Sequence, residues 1–347
     1  MPLDVARRLF ARKPAPADGV LVREENGSPS AVRLSWVWTT QQHPDANLGD
    51  ALSAVVVSVM SGLAIKPSSF DQPIERMAAV GTIGHAQRNG RVHLWGTGFD
   101  LSRNSTGAVA GYRVPDETEL VVHAVRGRQT AKGLRALGIE VPEVFGDPVW
   151  FLPRIFPLEG LTKRRELGII VHISELEEAT AAAKVKASLL RYGIPAGLVD
   201  DIAIINTYTD PTIEAFERKV REIAECKRIL STSLHGLVIA ETYNIPCAWF
   251  STNRGEAGFL PFDGPQPIDH RMIDFYGGVG RDAVLTYFQP LHEATRWEEA
   301  MAFIDRHWEG LTYTGKDLFD AFPLRHAVRF KDKVWRCRPD ILNTNRY

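Results

Sequence analysis

Residues 228–250 read RILSTSLHGLVIAETYNIPCAWF. An apolar run ends at Ser231, and Thr232 or Ser233 stands where a helix N-cap is wanted. An apolar helical stretch follows from Leu234, closed by Asn244 and Pro246 ahead of a second short run, 247–250. Strand, capped helix and strand joined this tightly predict a β-α-β unit, and therefore a parallel sheet. His235 falls in the first helical turn, beside Gly236. The hydroxyls, the free N–H groups and the helix dipole favour an anion there, and the imidazole adds a proton donor. Spacing alone also allows a capped core helix carrying an incidental histidine.

The same alternation extends in both directions. Downstream, 297–308 predicts a helix within a tail of helical character. Upstream, strands are predicted at 167–173 and 202–206, with helices at 174–192 and 211–226. Three prolines, Pro148, Pro153 and Pro157, break this series from an earlier one. That earlier one has strands at 33–39, 92–95 and 120–125, a helix from Asn47 to a stop at Gly62, and a helix over 130–137. The fold class expected is α/β, two Rossmann-like doubly wound domains facing a central cleft. The boundaries are a flexible arm at 1–30, a first domain at 31–157, a second at 158–290, and a helical tail at 291–347 that packs back on the first. In open α/β sheets ligands bind at the carboxyl ends of strands, so function is sought in loops leaving strands for helices.

Composition narrows the classes. A chain of 347 residues with 44% hydrophobic and 24% charged residues is an ordinary globular protein of two-domain size. Forty-one Lys+Arg against 42 Asp+Glu leave a net charge of −1, without the basic excess of a nucleic-acid binder. Three scattered cysteines, Cys226, Cys247 and Cys337, favour neither a disulfide framework nor a cysteine zinc site, and point to a reducing compartment. The opening residues lack the apolar core of a secretory signal. The longest apolar run, 54–65, is interrupted and too short to span a bilayer.

Several short motifs sit at predicted strand-to-helix turns. Asn47-Leu48-Gly49-Asp50 serves either as a capped helix start or, with Asn47 and Asp50, as an acceptor contact. Gly96-Thr97-Gly98 is too short for a dinucleotide fingerprint, and reads as a turn or as a close approach to a ligand. His85, His93 and His123 lie near strand ends, and Gly146-Asp147-Pro148 falls at the domain boundary. Asp274-Phe275-Tyr276 and Arg281 lie in the second domain. No P-loop and no G-x-S-x-G elbow is present, and His43 with Asp45 has no partner at metal-ligand spacing.

Taken in order, N-L-G-D, G-T-G-F, V-R-G, G-D-P, S-T-S-L-H-G and D-F-Y…G-R resemble the polysaccharide pyruvyl transferase family, over about residues 33–325. The resemblance implies a GT-B-like fold. It also implies transfer of the enolpyruvyl group of phosphoenolpyruvate to a surface-polysaccharide sugar, closing a cyclic pyruvate ketal and releasing phosphate. It makes His235 the catalytic acid and Arg126 the donor clamp. Ser231, Thr232, Ser233, Leu234 and Gly236 cradle phosphate, with Gly96, Gly98 and Arg281 also on the donor side and Asn47, Asp50 and His85 on the acceptor side. This chemistry needs a proton donor, a fixed guanidinium and a phosphate cradle. It needs no metal and no cofactor beyond phosphoenolpyruvate as co-substrate. The implied partner is a hexose with free 4- and 6-hydroxyls, including a lipid-linked form met by peripheral contact at the inner face of the plasma membrane. The location is cytoplasmic and no nucleic acid is involved. Two other readings fit the same architecture: a sugar-nucleotide glycosyltransferase and a non-catalytic carbohydrate-binding protein.

Overall fold

The structure is a computed structural model, and it describes residues 14 and 16–337. The chain builds two mainly parallel sheets with helices packed on their faces, the α/β layering expected of alternating strands and helices. In the first sheet β1 (Leu21–Arg23), β2 (Pro29–Ser35), β5 (Arg76–Ala78), β6 (Gly90–Thr97) and β7 (Thr118–Val125) lie in that order, with β4 (Ala64–Pro67) beside β2. All pairs are parallel except β1 with β2, a hairpin. Residues 18–30, expected as part of a flexible arm, are therefore largely built into this sheet. Most of the arm's first 17 residues lie outside the described residues.

The second sheet runs β13 (Gly258–Pro261), β14 (Ala283–Phe288), β12 (Cys247–Ser251), β11 (Cys226–Ser231), β8 (Arg165–Val171), β9 (Ile202–Asn206), antiparallel only at β13. The decisive stretch folds as read: β11, helix α5 (Leu234–Thr242) and parallel β12, with Ile229 in register with Cys247. Helix α4 (Ile213–Ala224) precedes it, and Thr212 caps α4 by accepting from the Ala215 N–H at 3.2 Å.

One expected element is absent. The sequence predicts a helix over 174–192, yet this stretch carries only two short 3-10 turns, Ile173–Glu175 and Leu190–Tyr192. Long-range bonds hold this backbone. The Asn206 amide donates to the carbonyls of Thr180 and Ala183, and Asp45 accepts from the Ala181 N–H. Tertiary contacts of this kind routinely override helix propensity.

The halves share one core. Helix α1 (Leu48–Ser61) is buried over almost its whole length and joins Leu34 and Met77 of the first half to Leu237 and Phe275 of the second in one apolar cluster. The one-turn helix α3 (Leu152–Ile155), at the proline-rich break, adds Leu152 and Ile155 to the same cluster. Gly62 ends α1 in the left-handed conformation (φ 71°), its N–H returning to the Ser58 carbonyl. A two-stranded sheet ties the halves directly: β3 (Ala46–Asn47) pairs with β10 (Tyr208–Thr209). Helix α7 (Trp297–His307) packs on the second sheet. The chain then returns to the first half, where helix α8 (Lys316–Asp320) meets Trp95, whose indole donates to the Leu318 carbonyl. Among the described residues no helix is long and apolar enough to cross a membrane.

Candidate functional site

Polar groups from loops of both halves meet around the N-terminal turn of α5 and around Arg126. β11 leads through Ser233, the N-cap of α5, to His235 in the first helical turn. The imidazole is wedged. A Cβ placed on Gly49 would lie 2.1 Å from its Nδ1, so only glycine leaves room on that side. On the other side Nε2 faces Asp147 Oδ2 at 3.7 Å. Both atoms are buried and have no hydrogen-bond partner among the described residues, and the His235 side chain is 14% exposed while that of Asp147 is fully buried. Asp147 is held by its other oxygen, Oδ1, which accepts from the Val149 N–H at 3.0 Å.

Asp50, in the first turn of α1, completes this group. Asn47, the residue before the helix, makes no side-chain cap; its amide donates to Asp50 Oδ2 at 2.9 Å. Burial raises the Asp50 carboxyl above its ordinary range, against the pull of His235, the Asn47 hydrogen bond and Arg271, with Asp147 adding to the rise. Tyr208 on β10 is raised by burial and then by Asp50. Arg271, in the first turn of helix α6 (His270–Gly278), is half-buried. It pairs with Asp269 and donates from Nη1 toward His172 Nε2 at 3.2 Å. His172 follows β8; its N–H donates to the Thr232 hydroxyl at 2.7 Å. Burial, then Arg271, lowers the His172 ring below its ordinary value.

Arg126 leaves the end of β7 and runs between the halves, fully buried. Its Nε bonds Asp274 of α6 at 3.2 Å and its Nη1 donates to the Thr82 hydroxyl at 2.7 Å, leaving Nη2 without a partner. The resemblance gives this guanidinium to the donor; in the structure a carboxylate of the second half already occupies one side of it. Asp274 also accepts from the Thr130 N–H and hydroxyl, closing the N-terminus of helix α2 (Arg128–Ala136). Thr82 follows Gly81, where an added Cβ would lie 3.4 Å from Asp50 Oδ1.

The remaining expected residues divide by what they touch. Gly98 makes room for Arg126, whose Cζ would lie 2.4 Å from a Cβ there. Gly96 (φ 78°) faces Pro148 and the Gly146 carbonyl, and Gly236 packs against Ser231 and Ile170. The Ser231 hydroxyl donates to the Ser233 carbonyl, and Thr232 donates to Glu175 at 2.6 Å, so both serve the loop itself. Leu234 is buried core, and only Ser233 among these hydroxyls makes no hydrogen bond to the protein. His85 accepts from the Asp100 N–H and has Asp100, Arg103 and His270 as charged neighbours. Arg281 lies apart: its guanidinium binds Glu309 and the Gly310 carbonyl, and its charge acts on Glu241 at the opposite end of α5 from His235.

Arg271, His172 and Tyr208 belong to none of the sequence motifs, and Asp147 stands out there only by its place at the domain boundary. One signal was available. Asp269-His270-Arg271 puts two basic side chains in the first turn of a helix, where the dipole disfavours them. Among the described residues no cluster of three or more His, Cys, Asp or Glu is placed to hold a metal.

Comparison with known proteins agrees with the motif reading. Residues 83–254 match the family model described as polysaccharide pyruvyl transferase. An uncharacterized protein of Acanthamoeba polyphaga mimivirus is 26% identical over 171 residues, which cover 48% of this chain and 51% of that protein. The chain thus spans about half the length of the curated relative it matches. No solved structure gives a significant match.

Proposed function

We propose that this chain, matched over its centre by the polysaccharide pyruvyl transferase family, moves the enolpyruvyl group of phosphoenolpyruvate onto a saccharide and closes it as a cyclic ketal. His235 is the general acid that protonates the methylene carbon of the donor. Protonation generates an oxocarbenium-like centre at C2, which a sugar hydroxyl attacks; phosphate leaves, and a second hydroxyl closes the ring. A positioned acid of this kind contributes about 10²–10⁴-fold.

The observation that carries the reading is the meeting of His235 with Asp147, Asp50 and the cation of Arg271, drawn from both halves of the chain. A helix N-terminus disfavours the imidazolium that an acid catalyst needs. The Asp147 carboxyl lies 3.7 Å from Nε2, an acidic neighbour supplied by the protein itself. The donor's carboxylate and phosphate are received by half-buried Arg271 and by the first N–H groups of α5 with Ser233. Arg126 faces the donor only through Nη2, its other nitrogens holding the two halves together. Asn47 and Asp50 stand on the acceptor side. The architecture is GT-B-like in this reading, and the acceptor is a surface-polysaccharide sugar or its lipid-linked precursor, met at the cytoplasmic membrane face.

Incubation with phosphoenolpyruvate and a panel of hexosides tests the proposal. Phosphate release matched by a pyruvyl ketal in the product supports it. Release of phosphate without a ketal, or tight binding of sugar nucleotides in place of phosphoenolpyruvate, contradicts it.

A further inference from the structure

Ketal formation makes strict demands on protons. One proton is added to C3 of the donor, and two acceptor hydroxyls each give one up. A single histidine serves as acid once and as base once, so a second base is required for the other hydroxyl. The structure holds two carboxyls beside His235, and they are not equivalent. Asp147 is fully buried on the Nε2 side and reaches no solvent. Asp50 is half-buried, its Oδ2 accepts from the Asn47 amide at 2.9 Å, its Oδ1 lies toward Gly81, and its charge acts on His235.

Resting on the function proposed above, we infer that Asp147 is a positioning residue that holds the Nε2 side of His235, so that Nδ1 works on the substrate, and that Asp50 is the catalytic base for the first acceptor hydroxyl. His235 Nδ1 delivers its proton to C3 as the C2–C3 π pair forms the new C–H bond. The hydroxyl oxygen bonds to C2 and its proton passes to Asp50. The C2–O bond to phosphate then breaks. The second hydroxyl attacks C2 and its proton passes to the now neutral Nδ1, restoring the acid, while the Asp50 proton departs with inorganic phosphate. One donor and two hydroxyls yield one ketal and one phosphate, and the enzyme returns to its starting state. Asp50 is suited to this work, since burial lifts its carboxyl and a stronger base results. The charged and titratable groups facing this pair are Arg271 from α6, Tyr208 from β10, and the two carboxyls themselves.

The full chain carrying Asp147→Asn or Asp50→Asn tests this. Each asparagine keeps the oxygen that accepts from Val149 N–H or from Asn47, so folding is retained. In Asp50→Asn, kcat falls about 10²–10³-fold, KM for phosphoenolpyruvate changes little, and the acid limb of the pH profile disappears. In Asp147→Asn, kcat falls about 10²-fold with KM for phosphoenolpyruvate little changed, the cost of a reacting group that is no longer held in place. A third readout needs no turnover: ¹⁵N spectra of the wild-type chain show neutral His235 protonated on Nε2, and Asp147→Asn loses that preference. Wild-type kcat in Asp147→Asn, or a wild-type ring protonated on Nδ1, overturns the role of Asp147, and wild-type kcat in Asp50→Asn overturns that of Asp50. Failure of the wild-type chain to make a ketal with any acceptor counts against the proposed function, while the ¹⁵N result still decides for or against Asp147.

Discussion

Replacing Gly49 by alanine separates the site from the fold. Gly49 sits in the first turn of α1, where alanine normally stabilises a helix by about 0.5–1 kcal/mol. Against that, the new methyl would lie 2.1 Å from His235 Nδ1, 2.5 Å from Cγ and 2.9 Å from Cβ. Ordinary contact begins at 3.4 Å, so the imidazole must retreat by more than 1 Å. Its retreat is blocked on the Nε2 side by buried Asp147. A misplacement of about 1 Å at a reacting group costs about 10²-fold in rate, and an overpacked contact costs about 1–3 kcal/mol. Turnover is therefore expected to fall by at least that factor, while the melting temperature drops by several degrees at most. Phosphate release under saturating phosphoenolpyruvate, run beside a thermal melt of the same preparation, measures both. A Gly49→Ala enzyme that turns over within twofold of wild type refutes the reasoning, because it shows that the substrate does not depend on where this ring stands.

Three further outcomes follow from buried groups. Asp274→Asn strips Arg126 of its charge partner and weakens the closure of α2, so chemical denaturation should show a loss of about 3–5 kcal/mol. Glu241 is buried beneath the Tyr276 hydroxyl, which donates to it at 3.0 Å, and burial raises its carboxyl from 4.5 to about 7. The unfolded chain ionises this group first as pH rises, so stability falls between pH 4.5 and 7. Glu241→Gln should remove a cost of about 3 kcal/mol at pH 8 and almost none at pH 4.5, read from melts at the two values. His123, bonded to His93 at 2.9 Å, is lowered by burial from 6.5 to about 3. Here the unfolded chain takes up a proton as pH falls below 6.5 and the folded chain does not. Stability should thus drop by about 2 kcal/mol by pH 5, and His123→Gln should flatten the slope of stability against pH in that window.

Local signals and long-range ones are unequally legible in the sequence. The β11-α5-β12 unit is readable because its strand ends, caps and breakers all lie within 23 consecutive residues, and each acts on its immediate neighbours. The helix expected at 174–192 fails for the opposite reason: its backbone answers to Asn206 and Asp45, whose positions only the tertiary fold determines. His235 is identifiable from its place in a capped helix turn, and Asp50 from its own. Their closeness is not, because it depends on β3 pairing with β10 across the two halves. Arg126 stands out as a residue of consequence, but its partner Asp274 arrives from another helix, so that its commitment between the halves has no local trace. Arg271 leaves a faint one, a cation placed against its own helix dipole.

The central claim is that His235 carries a solvent-derived proton to the methylene carbon of phosphoenolpyruvate. Running the reaction in D₂O with a competent hexoside and reading the ketal methyl group by NMR tests it most directly. One deuterium per methyl is expected in the wild-type product, and no product above background from His235→Ala. A His235→Ala chain that forms the same singly deuterated ketal at the wild-type rate would contradict it.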